Sequence, residues 1–515
     1  MAARRREAAQ RLSRTRLTAA TKSASQDLRG RLVSARQELP LLLILLAVTV
    51  AYTSSLDDYF HGDDFIAFVD LATKPFFRHM ADVITLSDSD FYWRPLGQLY
   101  YRILYEVGGL NPVYYHIANL AVFLATLYLL YRFCLRAGFR RPVALGAAAL
   151  FGLLPNHAVS VAWVTNAPRE IGVMLFMASM VLLQRALESR RFRDEALAFA
   201  VFVLAGLSDE TILGLAAVPV LYGVLIKGWA SADRLREVLV RGAAYGALVI
   251  AFIPIQLKEG AQTNRGADAI GIGWHMPDHY WGLLSKLVWP VRDGVLLSKI
   301  SEGQWTAGAI AAAAGVALLI VGTGRLRFLV VWAALALLPF TIWLLPIAPA
   351  RYVYMAAVPF AIIVSWGAVS VYDGVRASLV GRRVAASPPL SRAVAGLLAA
   401  ALLVAAGLAA SETAERNRAY AAGTEPYRIL AQELPAVVPA IPSNGRVIIY
   451  YGIWDGYAIW SDAVVQTIYR DRSLTVVNLT AAQVEAGGPP VRSNDRVVFY
   501  TDKGFIAPVR SSATR

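Results

Sequence analysis

Residues 114–141 read YYHIANLAVFLATLYLLYRFCLRAGFRR. Tyr114 to Leu130 is a nearly unbroken apolar run, and the stretch ends in a cluster of arginines: Arg132, Arg136, Arg140 and Arg141. A run approaching about 20 apolar residues is long enough for a helix to cross the hydrocarbon core of a bilayer. An arginine cluster at one end marks the side that stays in the cytoplasm. Runs of the same kind recur at Leu41–Tyr52, Ala309–Val321 and Ala393–Ala409. Composition agrees, since 57% of the 515 residues are hydrophobic and 17% are charged, whereas a soluble protein carries about a quarter charged residues. The first run follows about forty basic, polar residues, which is too long and too basic for an ordinary signal peptide. The reading is a polytopic membrane protein.

The pattern predicts about eleven spanning helices, near residues 39–56, 114–133, 142–157, 170–187, 194–207, 211–226, 242–257, 306–323, 328–346, 352–371 and 392–410. Every second connection is basic. After the N-terminal arginines come the cluster at 132–141, then Arg185, Arg190, Arg191 and Arg193, then Lys227, Arg234, Arg236 and Arg241. Arg325 and Arg327 follow, and then Arg376, Arg382, Arg383 and Arg392. This alternation places the N-terminus in the cytoplasm and the C-terminal tail outside, in the cell (plasma) membrane. The net charge of +14 is therefore spent on orientation and gives no sign of nucleic-acid binding. The single cysteine, Cys134, excludes an internal disulfide and a cysteine metal site.

Three parts follow. Residues 1–38 form a basic cytoplasmic arm suited to anionic lipid headgroups. Residues 39–410 form the transmembrane domain, with long outer connections at 57–113 and 258–305. The tail, 411–515, has strand-like runs at Arg446–Tyr451, Leu474–Leu479 and Arg496–Tyr500, separated by turn signals such as Pro442-Ser443-Asn444-Gly445, with a helix-like piece, Glu425–Leu434, before them. The fold class is an all-α polytopic membrane protein with a small C-terminal soluble α/β domain.

Chemistry is sought in the outer connections. The first begins Asp57-Asp58-Tyr59-Phe60-His61-Gly62-Asp63-Asp64. Adjacent carboxylates repel each other and lose solvation near a membrane surface, so one of them is expected to have a raised pKa suited to a general base. A solvated loop or a helix cap before Phe65 explains the same pair. Arg94, in Tyr92-Trp93-Arg94-Pro95-Leu96, suits a phosphate clamp or an interfacial aromatic belt. His116 and Asn119 share one helix face, for a substrate or for a neighbouring helix. Pro155-Asn156-His157 and Arg169-Glu170 make up the second outer connection, and Ser208-Asp209-Glu210-Thr211 the third. Charges held this close to hydrocarbon are functional candidates, although a capping turn also fits the third. Arg351 opens a helix, where a cation opposes the helix dipole and an anionic ligand would resolve the conflict. His275, Asp278 and His279 have a helical spacing that suits a metal, but Pro277 interrupts them and no fourth ligand is in view. No metal site is assigned and no cofactor is expected, with a divalent metal left open.

Taken in order, the acidic pair, YWRPL (92–96), GGLNPVYYHIANL (108–120), LPNHAVSVAWVTNAPRE (154–170), SDET (208–211) and ARYVYMAAVPF (350–360) form a series. This series resembles the membrane half of the C-type glycosyltransferases, and within them the protein O-mannosyltransferase-like group whose eukaryotic members append tetratricopeptide repeats. The likeness covers roughly residues 40–370. It implies an inverting transfer of a sugar from a polyprenyl-phosphate donor to a hydroxyl on a protein, lipid or glycan acceptor. It implies Asp63 as first choice for the base, with Asp64 beside it, and Arg94, Arg351 and Arg169 on the phosphate. His116, Asn119, His157 and Glu210 are the implied substrate-positioning residues. The chain departs from the group at Ser160, where a carboxylate is usual, at Asp209, where a lysine is usual, and in lacking the repeats. Two other readings compete: a transporter or flippase of lipid-linked sugars, which calls for inverted repeats and charges deep in the helices, and a non-catalytic membrane scaffold.

Overall fold

The computed structural model describes residues 38–87, 92–228, 235–262, 271–288, 301–342, 344, 349–381, 388–450, 458–501 and 504–506. By its internal contacts the chain divides into Met1–Ala47 and Val48–Arg515. The described part of the first unit is helical, and the expected basic arm lies outside the described residues.

The helices, in chain order, are α1 (Glu38–Ser55), α2 (Gly62–Thr73), α3 (Phe76–Thr85), α4 (Pro95–Gly108), α5 (Pro112–Arg136), α6 (Arg141–Leu153), α7 (Ala158–Ala162), α8 (Ala167–Ser189) and α9 (Phe192–Ser208). They continue with α10 (Ala217–Leu225), α11 (Leu235–Gln262), α12 (His275–Val288), α13 (Glu302–Val321), α14 (Gly324–Leu337), α15 (Tyr354–Gly381) and α16 (Pro388–Val437). In the tail come β1 (Arg446–Tyr450), α17 (Ala458–Tyr469), β2 (Thr475–Leu479), α18 (Ala481–Glu485), β3 (Arg496–Thr501) and β4 (Gly504–Ile506). Prolines open α4, α5 and α8, where the missing N–H costs nothing and the fixed φ suits a first turn.

Among the described residues six helices are long and apolar enough to cross a membrane, and seven if one bent pair is a single span. They are Glu38–Ser55, Pro112–Arg136, Val164–Ser189, Arg236–Lys258, Glu302–Val321 and Ala350–Ala377. In the bent pair, α6 and Pro155–Ala162 meet at 49°. Pro155 cannot supply the N–H that would continue the ladder, and the chain turns there. The expectation of about eleven spans therefore meets fewer full-length helices. Residues 194–207 lie in α9, of 17 residues, and 328–346 begins in α14, of 14 residues, which tightens into a 3-10 turn at Leu338–Phe340. Residues 211–226 lie in the shorter apolar stretch Glu210–Leu225, and 392–410 is part of α16.

The basic connections gather at one end of the bundle. Arg136 donates to Glu188 at 2.8 Å, and Arg325 to the Gly138 carbonyl at 2.9 Å. Arg140 pairs with Asp373, and Arg241 with Glu195. The 25 residues of α5 carry the chain about 37 Å from this end, at 1.5 Å per residue, to the end that holds α2–α4.

At that opposite end the tail is not a separate appendage. Its sheet has the order β2-β1-β3-β4, with β1 parallel to β2 and β3, and β3 antiparallel to β4. The three expected strands are present, joined by β4 and by α17, which the sequence reading did not contain. Val447, Ile449, Val464 and Val498 of the tail and Leu430 of α16 share one buried core with Phe60, Phe65, Phe68 and Tyr115 of the membrane half. Gly62 allows the join, because a Cβ there would lie 2.6 Å from the Trp460 ring. Thr467 Oγ1 donates to the Phe65 carbonyl at 3.4 Å, and Arg472 pairs with Asp70.

Candidate active site

Five chain segments converge on a cavity of about 190 Å³. Asp63 comes from the first turn of α2, Arg94 from the N-cap of α4, and Arg169 from the first turn of α8. Glu210 follows the end of α9, and Arg351 sits in the 3-10 turn Ala350–Val353 before α15. All five line the cavity, together with aromatic rings from Tyr92, Tyr101, Trp163, Phe340 and Tyr352. The approach of α4 to α8 depends on Gly97, since a Cβ there would lie 2.8 Å from Pro168 Cγ.

The charges sort into a closed network and an open pair. Arg94 grips Glu210 through two hydrogen bonds of 2.6 Å, from Nε and Nη2, and stacks on Tyr92 at 4.5 Å. This planar fork is the geometry in which arginine binds a carboxylate most firmly. Asp209 is fully buried and lies 3.6 Å from Arg94 and 3.4 Å from Arg169. Burial pushes its carboxyl up, but Arg94, Arg169 and the hydrogen bonds from Thr211 outweigh this and hold it below the ordinary carboxylate range. Arg169 also donates to Asn166 at 3.0 Å and lies over Phe340 and Tyr352. Arg351 is different. It stacks on Trp163 at 4.4 Å and Tyr352 at 5.1 Å, and has no ion-pair partner within 4.0 Å among the described residues. Asp63 likewise has no ion-pair partner there. A cation and a carboxylate, both unspent, border one cavity.

The neighbouring acids have other surroundings. Asp64 is turned inward and fully buried. Its two oxygens accept from the backbone N–H of His61 at 2.8 Å and of Thr165 at 2.7 Å, closing the capping box of α2 and tying it to the segment before α8. Burial outweighs those hydrogen bonds and raises its pKa to about 7. Asp58, buried and then pressed by Asp57, is also raised to about 7. The raised carboxyls expected of this loop are thus Asp58 and Asp64, neither of which lines the cavity.

Three candidates sit away from the cavity. His116 Nε2 meets the Asp58 carbonyl at 2.9 Å. Asn119 accepts from Tyr100 Oη at 2.6 Å and donates to the Val161 carbonyl at 3.4 Å. His157 is packed among Phe123, Phe151 and Tyr354, with Nδ1 2.8 Å from the Phe151 carbonyl. His116 ties α5 to the segment between α1 and α2, and the other two pack between helices. Pro277 does not interrupt its segment: it falls in the first turn of α12, where no N–H is required of it. His275 and His279 are stacked edge to face at 5.2 Å, yet no group of three or more His, Cys, Asp or Glu side chains among the described residues is arranged to hold a metal. Of the two cations that follow in this outer connection and could meet a lipid phosphate, Lys286 is buried and Arg292 lies outside the described residues.

Asp209 is among the charged candidates of the third outer connection in the sequence, but it is given no role in the site there and is noted otherwise as a departure from a lysine. Its signal was available: an acid next to Glu210 with two arginines already nominated for the site.

No family model matches the chain. Over 107 residues it is 33% identical to protein O-mannosyl-transferase TMTC1 of Mus musculus, a match that covers 20% of this chain and 11% of that protein. Over 127 residues it is 26% identical to the Tmtc1 protein O-mannosyl-transferase of Drosophila melanogaster, covering 25% of this chain and 15% of that one. The matches thus span less than a fifth of either relative. Among solved structures, the Archaeoglobus fulgidus oligosaccharyltransferase, crystallised tethered to an acceptor peptide, aligns over 87% of this chain and 64% of its own at a TM-score of 0.50 and 11% identity. The chain has the fold of the C-type membrane glycosyltransferases. ArnT of Cupriavidus metallidurans, crystallised with undecaprenyl phosphate, aligns over 90% of this chain and 93% of its own at a TM-score of 0.47 and 15% identity. Within this C-type fold the cavity collects side chains from the acidic pair, YWRPL, LPNHAVSVAWVTNAPRE, SDET and ARYVYMAAVPF, and none from GGLNPVYYHIANL.

Proposed function

We propose that the protein is a membrane glycosyltransferase that moves a sugar from a polyprenyl-phosphate donor to a hydroxyl acceptor, with inversion, on the outer face of the plasma membrane. The observation that carries this is the open pair: Asp63 and Arg351 line one cavity, and neither is neutralised by an ion-pair partner among the described residues. A transfer of this kind needs a base on the attacking hydroxyl and a cation on the departing phosphate. The likeness of the chain to proteins named O-mannosyl-transferases supports sugar transfer to a hydroxyl.

In this reading Asp63 takes the proton of the acceptor hydroxyl. The hydroxyl oxygen forms its bond to the anomeric carbon as the bond from that carbon to the phosphate oxygen breaks. The electron pair leaves with the polyprenyl phosphate, whose growing charge Arg351 stabilises. Arg94 and Arg169, held by Glu210 and Asp209, keep the cavity wall fixed. Asp64 positions the turn that carries Asp63. The basic end of the bundle faces the cytoplasm and the tail domain lies outside, following the arginine pattern. The partners are the lipid-linked sugar, bilayer lipid and a protein, lipid or glycan acceptor.

The test is sugar release by purified protein from a panel of polyprenyl-phosphate sugars, with membrane extract supplied as acceptor. Consumption of one donor, lost in Arg351→Gln, is the expected result. No consumption of any donor by folded wild-type protein contradicts the proposal.

A further inference from the structure

A second cavity, of about 330 Å³, lies beside the first and shares Trp163 and Arg351 with it. Its other walls are His61, the N-cap of the helix that carries Asp63, and Tyr420, Ala419 and Gly423 on α16. The long helix leading to the tail domain therefore closes one side of it. The rings are close to one another: His61 lies 5.4 Å from Trp163, 6.2 Å from Tyr420 in a stacked orientation, and 5.0 Å from Trp460 of α17.

The polar groups here share one character. Trp163 Nε1 and Tyr420 Oη are buried, with no hydrogen-bond partner among the described residues. Arg351 has no carboxylate within ion-pair distance there. A buried donor left without a partner is destabilising, so the Trp163 and Tyr420 groups, with the cationic Arg351 beside them, call for a ligand rich in oxygen acceptors. The aromatic faces call for a ligand that also has flat apolar surfaces. No carboxylate lines the space. A polyprenyl tail would leave both unpaired groups unsatisfied. A peptide would bring N–H donors that the lining side chains have little capacity to accept. A sugar ring, with apolar C–H faces and hydroxyl oxygens at its edge, fits both requirements.

Resting on the transferase reading, we propose that this second cavity binds the acceptor and that the acceptor is a glycan, with α16 and the tail domain forming the acceptor side of the catalytic centre. The acceptor hydroxyl then approaches Asp63 from the His61 side, while the donor phosphate occupies the first cavity, and Arg351 and Trp163 stand between the two.

Two substitutions test this in the full-length protein. Tyr420→Phe removes only the hydroxyl. Gly423→Leu fills the cavity, because a Cβ at Gly423 meets nothing within 4 Å and leucine favours the helix. The assays measure transfer from the active polyprenyl-phosphate sugar to fluorescent arabinan, galactan and mannan fragments and to a Ser/Thr-rich peptide. Binding of the fragments is followed separately by tryptophan fluorescence without donor. The expected result is that a glycan fragment accepts sugar, that Tyr420→Phe raises the acceptor KM at least fivefold, and that Gly423→Leu raises it further. Donor KM stays within twofold in both. Transfer to the peptide and to no glycan overturns the proposal, as does an equal rise in donor and acceptor KM. Fragment binding by a wild-type protein that consumes no donor would refute the transferase reading while upholding a glycan site in this cavity.

Discussion

Replacing Gly97 by alanine places a methyl group where the Pro168 ring already lies, 2.8 Å away at Cγ and 2.9 Å at Cβ, with the Ser208 carbonyl at 3.4 Å. The proline is locked into the first turn of α8 and cannot rotate aside. Restoring an ordinary contact of 3.4 Å requires α4 and α8 to separate by about 0.6 Å. Arg94 caps α4 and Asp209 packs against α8, and they lie 3.6 Å apart. The same displacement takes that ion pair past 4 Å and moves one wall of the cavity. Overpacking of this kind costs about 1–3 kcal/mol of stability. A misplacement of 1 Å costs about 10²-fold in rate, so the shift here should lower kcat about tenfold. The assay is donor consumption by Gly97→Ala beside Gly242→Ala, whose Cβ meets nothing within 4 Å. Gly242→Ala should retain wild-type activity. Wild-type activity and thermal stability in Gly97→Ala would refute the claim that this close approach sets the site.

Further outcomes follow from the same geometry. Asp58 and Asp64 both have folded pKa values of about 7, well above the unfolded carboxylate range. The folded state then holds protons that the unfolded state has lost, so stability falls as pH rises between about 4 and 7, by up to about 1.4 kcal/mol per unit for each group. Thermal unfolding across that range should show the decline, and Asp58→Asn should flatten it; an unchanged slope contradicts the assignment. Arg351→Gln should lower kcat/KM by about 10²–10³-fold, the usual cost of a lost donor to a developing anion, measured with saturating acceptor. Asp209→Asn leaves Arg94 and Arg169 facing less charge than they need, and should cost about 3–5 kcal/mol, read as a lowered unfolding temperature.

The membrane character was legible because it is written in local runs, such as Tyr114–Leu130 with its arginines, and the structure brings those arginine connections to one end. The three tail strands were legible for the same reason. The short helices were not: α9 and α14 are apolar beyond the charges of their first turns, and composition does not distinguish a full crossing from a shorter buried helix. Nor could adjacency separate Asp63 from Asp64. What separates them is the N–H of Thr165, 101 positions further along the chain, which captures Asp64 and leaves its neighbour at the cavity. The packing of α17 on α2 is equally remote in sequence. Trp460 and Gly62 each look unremarkable alone, and only the fold gives them a shared contact.

The most direct test of the account is the comparison of Asp63→Asn with Asp64→Asn. Each is assayed for transfer from the active polyprenyl-phosphate sugar and, separately, for unfolding temperature. The account predicts that Asp63→Asn abolishes transfer while keeping wild-type stability, and that Asp64→Asn lowers the unfolding temperature. Transfer retained in Asp63→Asn, or lost in Asp64→Asn with stability intact, would move the base to Asp64 and contradict the account.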